Sequence, residues 1–341
     1  MKITTRGRFL GTGVLSPAGL ILVAVLATSL TACSASSTPA PSSTPAAMAP
    51  SSQASSAPSI QATAVPSQSA AATGIYAKAP VAAASDIPAG STMDKIKQRG
   101  TLIIGGSMDA PLWSQIDPTT GQFTGFDAEM GKLLAYYITG KQDTSQVVSS
   151  ATQTREALLG AGTVDVVFQT YTITVQRATQ VDFAGPYFTS GLVIATAKGQ
   201  PTFTTLASLD GKTVIAGANT PAIAAIKAAA PNANVVTFDT DPKCVQALEQ
   251  GRGVAYVQDQ GILLGDAITD TKLAIDTNPI TTEPYGIGLK HDDAAMKAFV
   301  NGWLTKIYAD GVWAQVWKET IGTVVTGDAP TPPTIGSAAG S

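Results

Sequence analysis

The sequence predicts an α/β protein of two lobes that face each other across a cleft, and three observations predict it. A buried-strand pattern followed by an amphipathic-helix pattern runs through the chain twice, first from Thr92 to Phe168 and again from Thr213 to Val257. Each half leaves polar residues where a strand should end, the place at which open α/β sheets bind ligands. The chemistry on offer is narrow: one histidine, two cysteines and 13% charged residues among 341, with a formal net charge of −3. That leaves almost no material for His/Cys metal sites or His-dependent triads and no basic stripe for nucleic acid. No cofactor or metal is expected.

The first 32 residues read as an export signal. Lys2, Arg6 and Arg8 precede the apolar run from Leu20 to Ala27, which is too short to span a bilayer as a helix. Leu30-Thr31-Ala32-Cys33 resembles a bacterial lipobox, and Cys33 would then carry the lipid anchor; the alternative is a plain signal peptide cleaved near the same point. Residues 33–91 are rich in Ser, Ala and Pro and nearly free of charge, a composition that reads as a disordered tether. Residues 327–341 have the same character and read as a flexible tail. An exported, tethered, charge-poor domain with little catalytic equipment points to a binding protein.

The first half is legible in order. Ser91 caps a short helix that Gly100 ends, and a strand from Thr101 to Ile104 leads into the loop Gly105–Asp109, which carries Ser107. A turn at 117–121 precedes the helix that opens at Gly125-Phe126-Asp127-Ala128-Glu129-Met130, where Leu133, Leu134, Tyr137 and Ile138 recur at helical spacing. Asp127 and Glu129 could be paired catalytic carboxylates; an acid complementing the helix dipole, followed by an acid facing water, is the better reading. A helix over 154–159, closed by Gly160 and Gly162, returns to the strand Val164–Phe168. There begins Thr170-Tyr171-Thr172-Ile173-Thr174-Val175-Gln176-Arg177, whose three threonines and planar guanidinium suit a carboxylate.

Extended chain follows over 181–188 and 192–196, and then the pattern restarts. The strand Thr213–Ala216 meets the loop Gly217-Ala218-Asn219 and a helix capped by Thr220 with Pro221 at its first position. Asp241-Pro242 repeats that start before the helix bearing Cys244, Val245 and Leu248, which Gly251 ends. The strand Val254–Val257 then places Gln258 and Asp259 at its end. A cation from one lobe opposite an anion from the other suits a zwitterion.

The ordered series formed by the Gly125–Met130 helix start, Thr172–Arg177, Val181-Asp182-Phe183, Gly185-Pro186-Tyr187-Phe188, Leu209–Lys212, Gly251-Arg252 with Asp259, Glu283–Ile287, and Asn301 with Asp310-Gly311 resembles the bacterial extracellular solute-binding proteins, family 3. The similarity covers nearly all of residues 95–321 and is to the actinobacterial glutamate/glutamine-binding lipoproteins that serve ABC importers. It implies the periplasmic-binding-protein-like (type II) fold, with lobe 1 over 92–186 plus 286–326, lobe 2 over 192–280, and crossovers near 187–191 and 281–285. Trp313, Val316 and Trp317 would sit on a C-terminal helix packed on lobe 1. The resemblance further implies that Arg177 pairs with an α-carboxylate, aided by Thr172 and by loop amides near Thr220. Thr170 would offer its backbone carbonyl to the α-ammonium, with Asp259 as counter-charge; Asn219, Gln258 and Ser107 complete the ligand-binding set. The implied partners are a polar amino acid, an ABC permease and the outer face of the cell membrane, the protein itself being a monomer.

Departures matter. Asn219 and Pro221 stand where the family often has Gly and Thr or Gly, and Pro221 has no amide hydrogen to give a ligand. Gly217, Ala218 and Gln258 occupy the side-chain region and none is basic, which favours a neutral polar ligand such as glutamine while leaving glutamate open. Ile215 occupies the place of a disulfide partner for Cys244, so a free buried thiol is expected. Two rivals share the scaffold: a dehydratase of prephenate-like acids, whose acid would be Asp109 or Glu283, neither expected to have a raised pKa, and an extracellular sensor with the same binding chemistry.

Overall fold

The computed structural model describes residues 74–341. The signal, Cys33 and the tether up to residue 73 lie outside the described residues. From residue 74 the expected tether is instead packed: Ile75, Ala82 and Ile87 are buried against the first core, and Ala82 N donates to Tyr137 O at 2.8 Å. Tyr76 and Ala79 pack on the same core, so a few apolar side chains in an alanine-rich stretch dock it.

Helix α1 (Thr92–Arg99) starts where Ser91 Oγ accepts from Asp94 N and stops at Gly100, whose left-handed conformation only glycine adopts without strain. It leads to β1 (Leu102–Gly106). A small antiparallel sheet follows, of β2 (Asp109–Ala110), β3 (Ser114–Ile116) and β4 (Phe123–Thr124), then α2 (Phe126–Thr139), β5 (Ser145–Ser149), α3 (Arg155–Gly160), β6 (Val166–Val167) and the long β7 (Val181–Ser190). The chain passes into the second lobe through β8 (Leu192–Ala197), β9 (Thr213–Gly217), α4 (Pro221–Ala229), β10 (Asn234–Phe238), α5 (Asp241–Glu249), β11 (Ala255–Asp259), α6 (Gln260–Thr269) and β12 (Leu273–Ile275). It returns by β13 (Glu283–Lys290) and finishes with α7 (Ala294–Ala309) and α8 (Val312–Glu319).

The two main sheets repeat one plan. The first has the order β5-β1-β6-β13-β7 and the second β10-β9-β11-β8-β12. In each, the three leading strands are parallel and the strand arriving from the other lobe pairs antiparallel, β13 with β6 and β8 with β11. Helices cover both faces. In the first lobe α1, α2, α7 and α8 bury one apolar face and α3 the other; in the second α4 lies on one face and α5 with α6 on the other. Trp313, Val316 and Trp317 are buried in the first lobe's core, and Trp313 Nε1 donates to Tyr187 O at 2.9 Å.

Where the chain crosses between lobes its two strands are paired, with Glu283 opposite Ser190 and Tyr285 opposite Phe188. Just beyond, Ile280 N donates to Leu192 O at 2.8 Å and Leu192 N to Thr281 Oγ1 at 3.0 Å. These two paired crossings, near 190 and 282, make up the hinge region between the lobes.

The tail is not loose. Gly336 N donates to Gly185 O at 2.8 Å, Ile335 packs on the first core, and Ala338 lies against the α3 side of the sheet. Composition hides this because the anchors are one isoleucine and backbone groups. Cys244 is buried with a free thiol among the described residues, and burial pushes that thiol up to about 12.

Candidate functional site

After β6 the backbone turns sharply at Thr170, which holds a φ of +42°, a left-handed value that a β-branched residue adopts only under constraint. The constraint comes from α2. Asp127, wholly buried, accepts the Thr170 N–H at 2.7 Å on Oδ2 and the Tyr187 hydroxyl at 2.7 Å on Oδ1. Burial raises its pKa to about 7 against those two bonds, which favour the charged form. Asp127 is thus structural as expected, but it holds the binding loop rather than merely its own helix. Glu129 pairs with Lys132 at 2.7 Å.

Arg177 is buried a short turn further on. Its Nη1 donates to Thr172 O at 2.7 Å, its Nη2 crosses to Asn219 O of the second lobe at 2.6 Å, and its Nε stands 3.9 Å from Glu156 Oε1. Sequence reasoning missed its companion. Arg155, at the start of α3 and 2% exposed, lies 4.0 Å from the centre of the Tyr171 ring, and Arg177 lies 4.9 Å from the same ring. Arg155 donates from Nη1 to Gln169 O at 3.2 Å and from Nε to Thr152 O at 3.1 Å. Burial first, then repulsion from Arg177, lowers its pKa to about 9, so it stays charged at neutral pH. Glu156 accepts from the Tyr171 hydroxyl at 2.6 Å and is the nearest counter-charge. A lone Arg in a helix of six residues carries no sequence signal for such a place.

The second lobe meets this rim through the loop after β9. Asn219, in left-handed conformation at φ +56°, gives its carbonyl to Arg177 and its Nδ2 to Thr152 O at 3.3 Å, while Thr152 Oγ1 donates to Ala218 O at 2.6 Å. Thr220 occupies the N-cap position of α4 as expected, but its hydroxyl donates to Gly217 O at 2.7 Å and caps nothing. The N-cap of α5 is Thr240, not Asp241, which turns to accept from Tyr256 Oη at 2.6 Å.

Between the lobes, at the strand ends, lies a cavity of about 170 Å³, lined from the first lobe by Ser107, Asp109 and Thr170 and from the second by Gly217, Asp241 and Gln258. Arg177, Asn219 and Thr220 line a separate and wider opening of about 640 Å³ between the lobes. Of the eight expected ligand residues, three line the inner cavity and three the wider opening. Thr172 is buried against Tyr285 behind Arg177. Asp259, next along β11 from Gln258, lines neither opening and stands beside the hinge. Its carboxylate accepts from Ser190 Oγ and, at 3.2 Å, from Gly261 N, capping α6. Burial raises its pKa to about 7. Glu283, expected to have no raised pKa, has one: burial pushes it up against bonds from Thr281 and Thr172 and the charge of Arg177.

Known proteins match most of the described residues. The family model of bacterial extracellular solute-binding proteins, family 3, matches residues 102–323. The ABC transporter glutamine-binding protein GlnH of Bacillus subtilis is 30% identical over 230 residues, 67% of this chain and 84% of that protein. The glutamate-binding protein GluB of Corynebacterium glutamicum is 28% identical over 258 residues, 72% of this chain and 87% of its own. Among solved structures, the solute receptor for L-cysteine of Neisseria gonorrhoeae superposes with a TM-score of 0.65 at 28% identity, covering 69% of this chain and 95% of that one.

Proposed function

Because the chain belongs to the bacterial extracellular solute-binding proteins, family 3, we propose that it is the extracytoplasmic capture component of an ABC importer for a polar amino acid. The glutamine- and glutamate-binding relatives supply the ligand class. Cys33 anchors the protein through lipid to the outer face of the cell membrane, and it acts as a monomer. The ligand's carboxylate is taken by Arg177 with Thr172, in place of the Asn219 carbonyl, and its ammonium by the Thr170 carbonyl, with Asp259, held beside the hinge by Ser190 and Gly261, as counter-charge. Capture works by hinge closure about the paired crossings: a ligand that touches both lobes stabilises the closed arrangement.

The observation that carries this reading is the cavity at the strand ends of both lobes, together with a buried guanidinium in a second opening that already bridges them. A thermal-shift screen of the twenty amino acids tests it, since a ligand present at a hundred times its Kd stabilises the native state by about 2.7 kcal/mol. One or a few amino acids should raise Tm, and a flat screen would overturn the reading. The raised pKa of Glu283 keeps the dehydratase alternative specific, and a turnover assay with prephenate-like acids separates it from pure binding.

A further inference from the structure

Residues 324–341 follow the span that the family model matches, 102–323, yet they are folded onto the first lobe. Val325, Ala329 and Ile335 pack on its core, and Gly336 N donates to Gly185 O at 2.8 Å. Gly336 and Gly340 hold φ values of +78° and +101°, bends that glycine makes without strain. Between them Ala338 joins the α3-side cluster, against which Ala178 also packs. Gly340 then lies so close to the turn before Ala178 that a Cβ on it would stand 3.0 Å from Ala178 Cβ and 3.1 Å from Thr174 O.

That turn carries Arg177. On either side of it the chain is secured to the sheet: Ile173 N donates to Pro284 O at 2.8 Å, and β7 begins to pair at Val181, opposite Lys290. In between, the backbone bonds are local, with Arg177 N donating to Thr174 Oγ1 at 3.1 Å, Ala178 N to Thr174 O at 2.9 Å and Gln180 N to Arg177 O at 2.9 Å. A single turn held by such bonds is marginal without tertiary packing. On its solvent side Val175 is 64% exposed, and Gln176 and Thr179 are exposed too. The bond from Arg177 to Asn219 O reaches the second lobe, so it is lost whenever the lobes part. The contacts of Ala338 and Gly340 are made within the first lobe and outlast that opening.

We propose that residues 335–340 are a strap that positions Arg177, clamping Thr174 and Ala178 from outside the cleft and keeping the guanidinium in place while the lobes are open. The proposal rests on the capture reading above and adds a positioning segment to it. A guanidinium held ready loses less freedom when a carboxylate arrives, so the strap acts on affinity without touching the ligand.

Hydrogen exchange of the unliganded full chain, with calorimetric titration of L-glutamine and L-glutamate, tests it in wild type, Gly336→Pro and Gly340→Val. Gly336→Pro removes the N–H that Gly185 O accepts and forbids the positive φ, releasing the strap at a point remote from the turn. Gly340→Val fills the contact with Ala178 and Thr174 directly. In both variants the amides of Arg177, Ala178 and Gln180 should exchange about tenfold faster, while those of β9 and β11 keep their wild-type rates. Affinity for whichever of the two amino acids wild type binds tighter should fall about threefold or more. Unchanged exchange of the turn in both variants overturns the proposal. Faster exchange spread evenly over the turn, β9 and β11 overturns it as well, being the mark of a tail that only stabilises the fold, and so does a faster turn with wild-type affinity. If wild type binds neither amino acid, the glutamine and glutamate ligand class falls, and the exchange alone decides the strap.

Discussion

Asp127 Oδ2 accepts the backbone N–H of Thr170 at 2.7 Å across 43 residues of chain, and this bond fixes the left-handed turn from which the binding loop departs. Its other oxygen holds Tyr187, at the start of the crossing between lobes, so one carboxylate ties the loop to the hinge. Asp127→Ala would orphan two buried donors, each at about 1–3 kcal/mol. Chemical denaturation should show a loss in that range or its double, together with weaker ligand binding as Thr170 relaxes. A variant as stable as wild type would remove Asp127 from this role.

Arg177→Ala should lose about a hundredfold or more in affinity, because a ligand carboxylate drawn into the closed cleft would lack its partner, a loss on the order of 3–5 kcal/mol. Arg177→Lys should fall between, keeping the charge and losing the fork that reaches Thr172 O and Asn219 O together. Calorimetry decides, and near-native affinity in the alanine variant would assign the carboxylate elsewhere, with Arg155 the first candidate.

Much of this was readable beforehand because it is local. Buried strands such as β1, β9 and β11 are apolar runs, α1 and α4 carry hydroxyl and proline start signals, and Arg177 follows a strand directly. What escaped depends on partners distant in sequence. The edge strands β5 and β10 are half exposed, and their valine pairs are too short to read as a buried apolar run. Arg155 gains its place only when Tyr171 folds under it, and Asp241 becomes a cavity wall only when Tyr256 draws it inward. Asp259 is fixed beside the hinge by Ser190, 69 residues away in the chain.

Lobe closure depends on two glycines of α6. A Cβ at Gly265 would stand 2.4 Å from Pro111 O and one at Gly261 2.5 Å from Trp113 Cζ2, both on the first lobe. Gly265→Ala should therefore hold the lobes apart, weakening ligand binding about tenfold or more, with little change in unliganded stability, since alanine suits a helix better than glycine. Small-angle scattering should show a ligand-induced contraction in wild type that shrinks in the variant. Full contraction in Gly265→Ala would show that closure does not need this contact.

Protonation of Asp259 should couple stability and binding in opposite directions. Burial raises its pKa from 3.8 to about 7, against bonds from Ser190 and Gly261 and with Glu283 adding repulsion; the Tyr285 hydroxyl also faces it. Between about pH 4 and 7 the folded chain thus binds a proton that the unfolded chain has lost, so its contribution to stability is fully present near pH 4 and falls as pH rises through 7. Asp127, also raised to about 7, acts with the same sign. An ammonium paired with Asp259 needs the carboxylate, so ligand binding near pH 6 should release a proton, and affinity should rise from about pH 5.5 to 8. Calorimetry in buffers of different ionisation enthalpy measures that proton directly. Asp259→Asn should make the fall of the unliganded Tm between pH 5 and 7 shallower, leaving the part that Asp127 contributes, and abolish the release; proton release that survives in Asp259→Asn would move the counter-charge to Glu283.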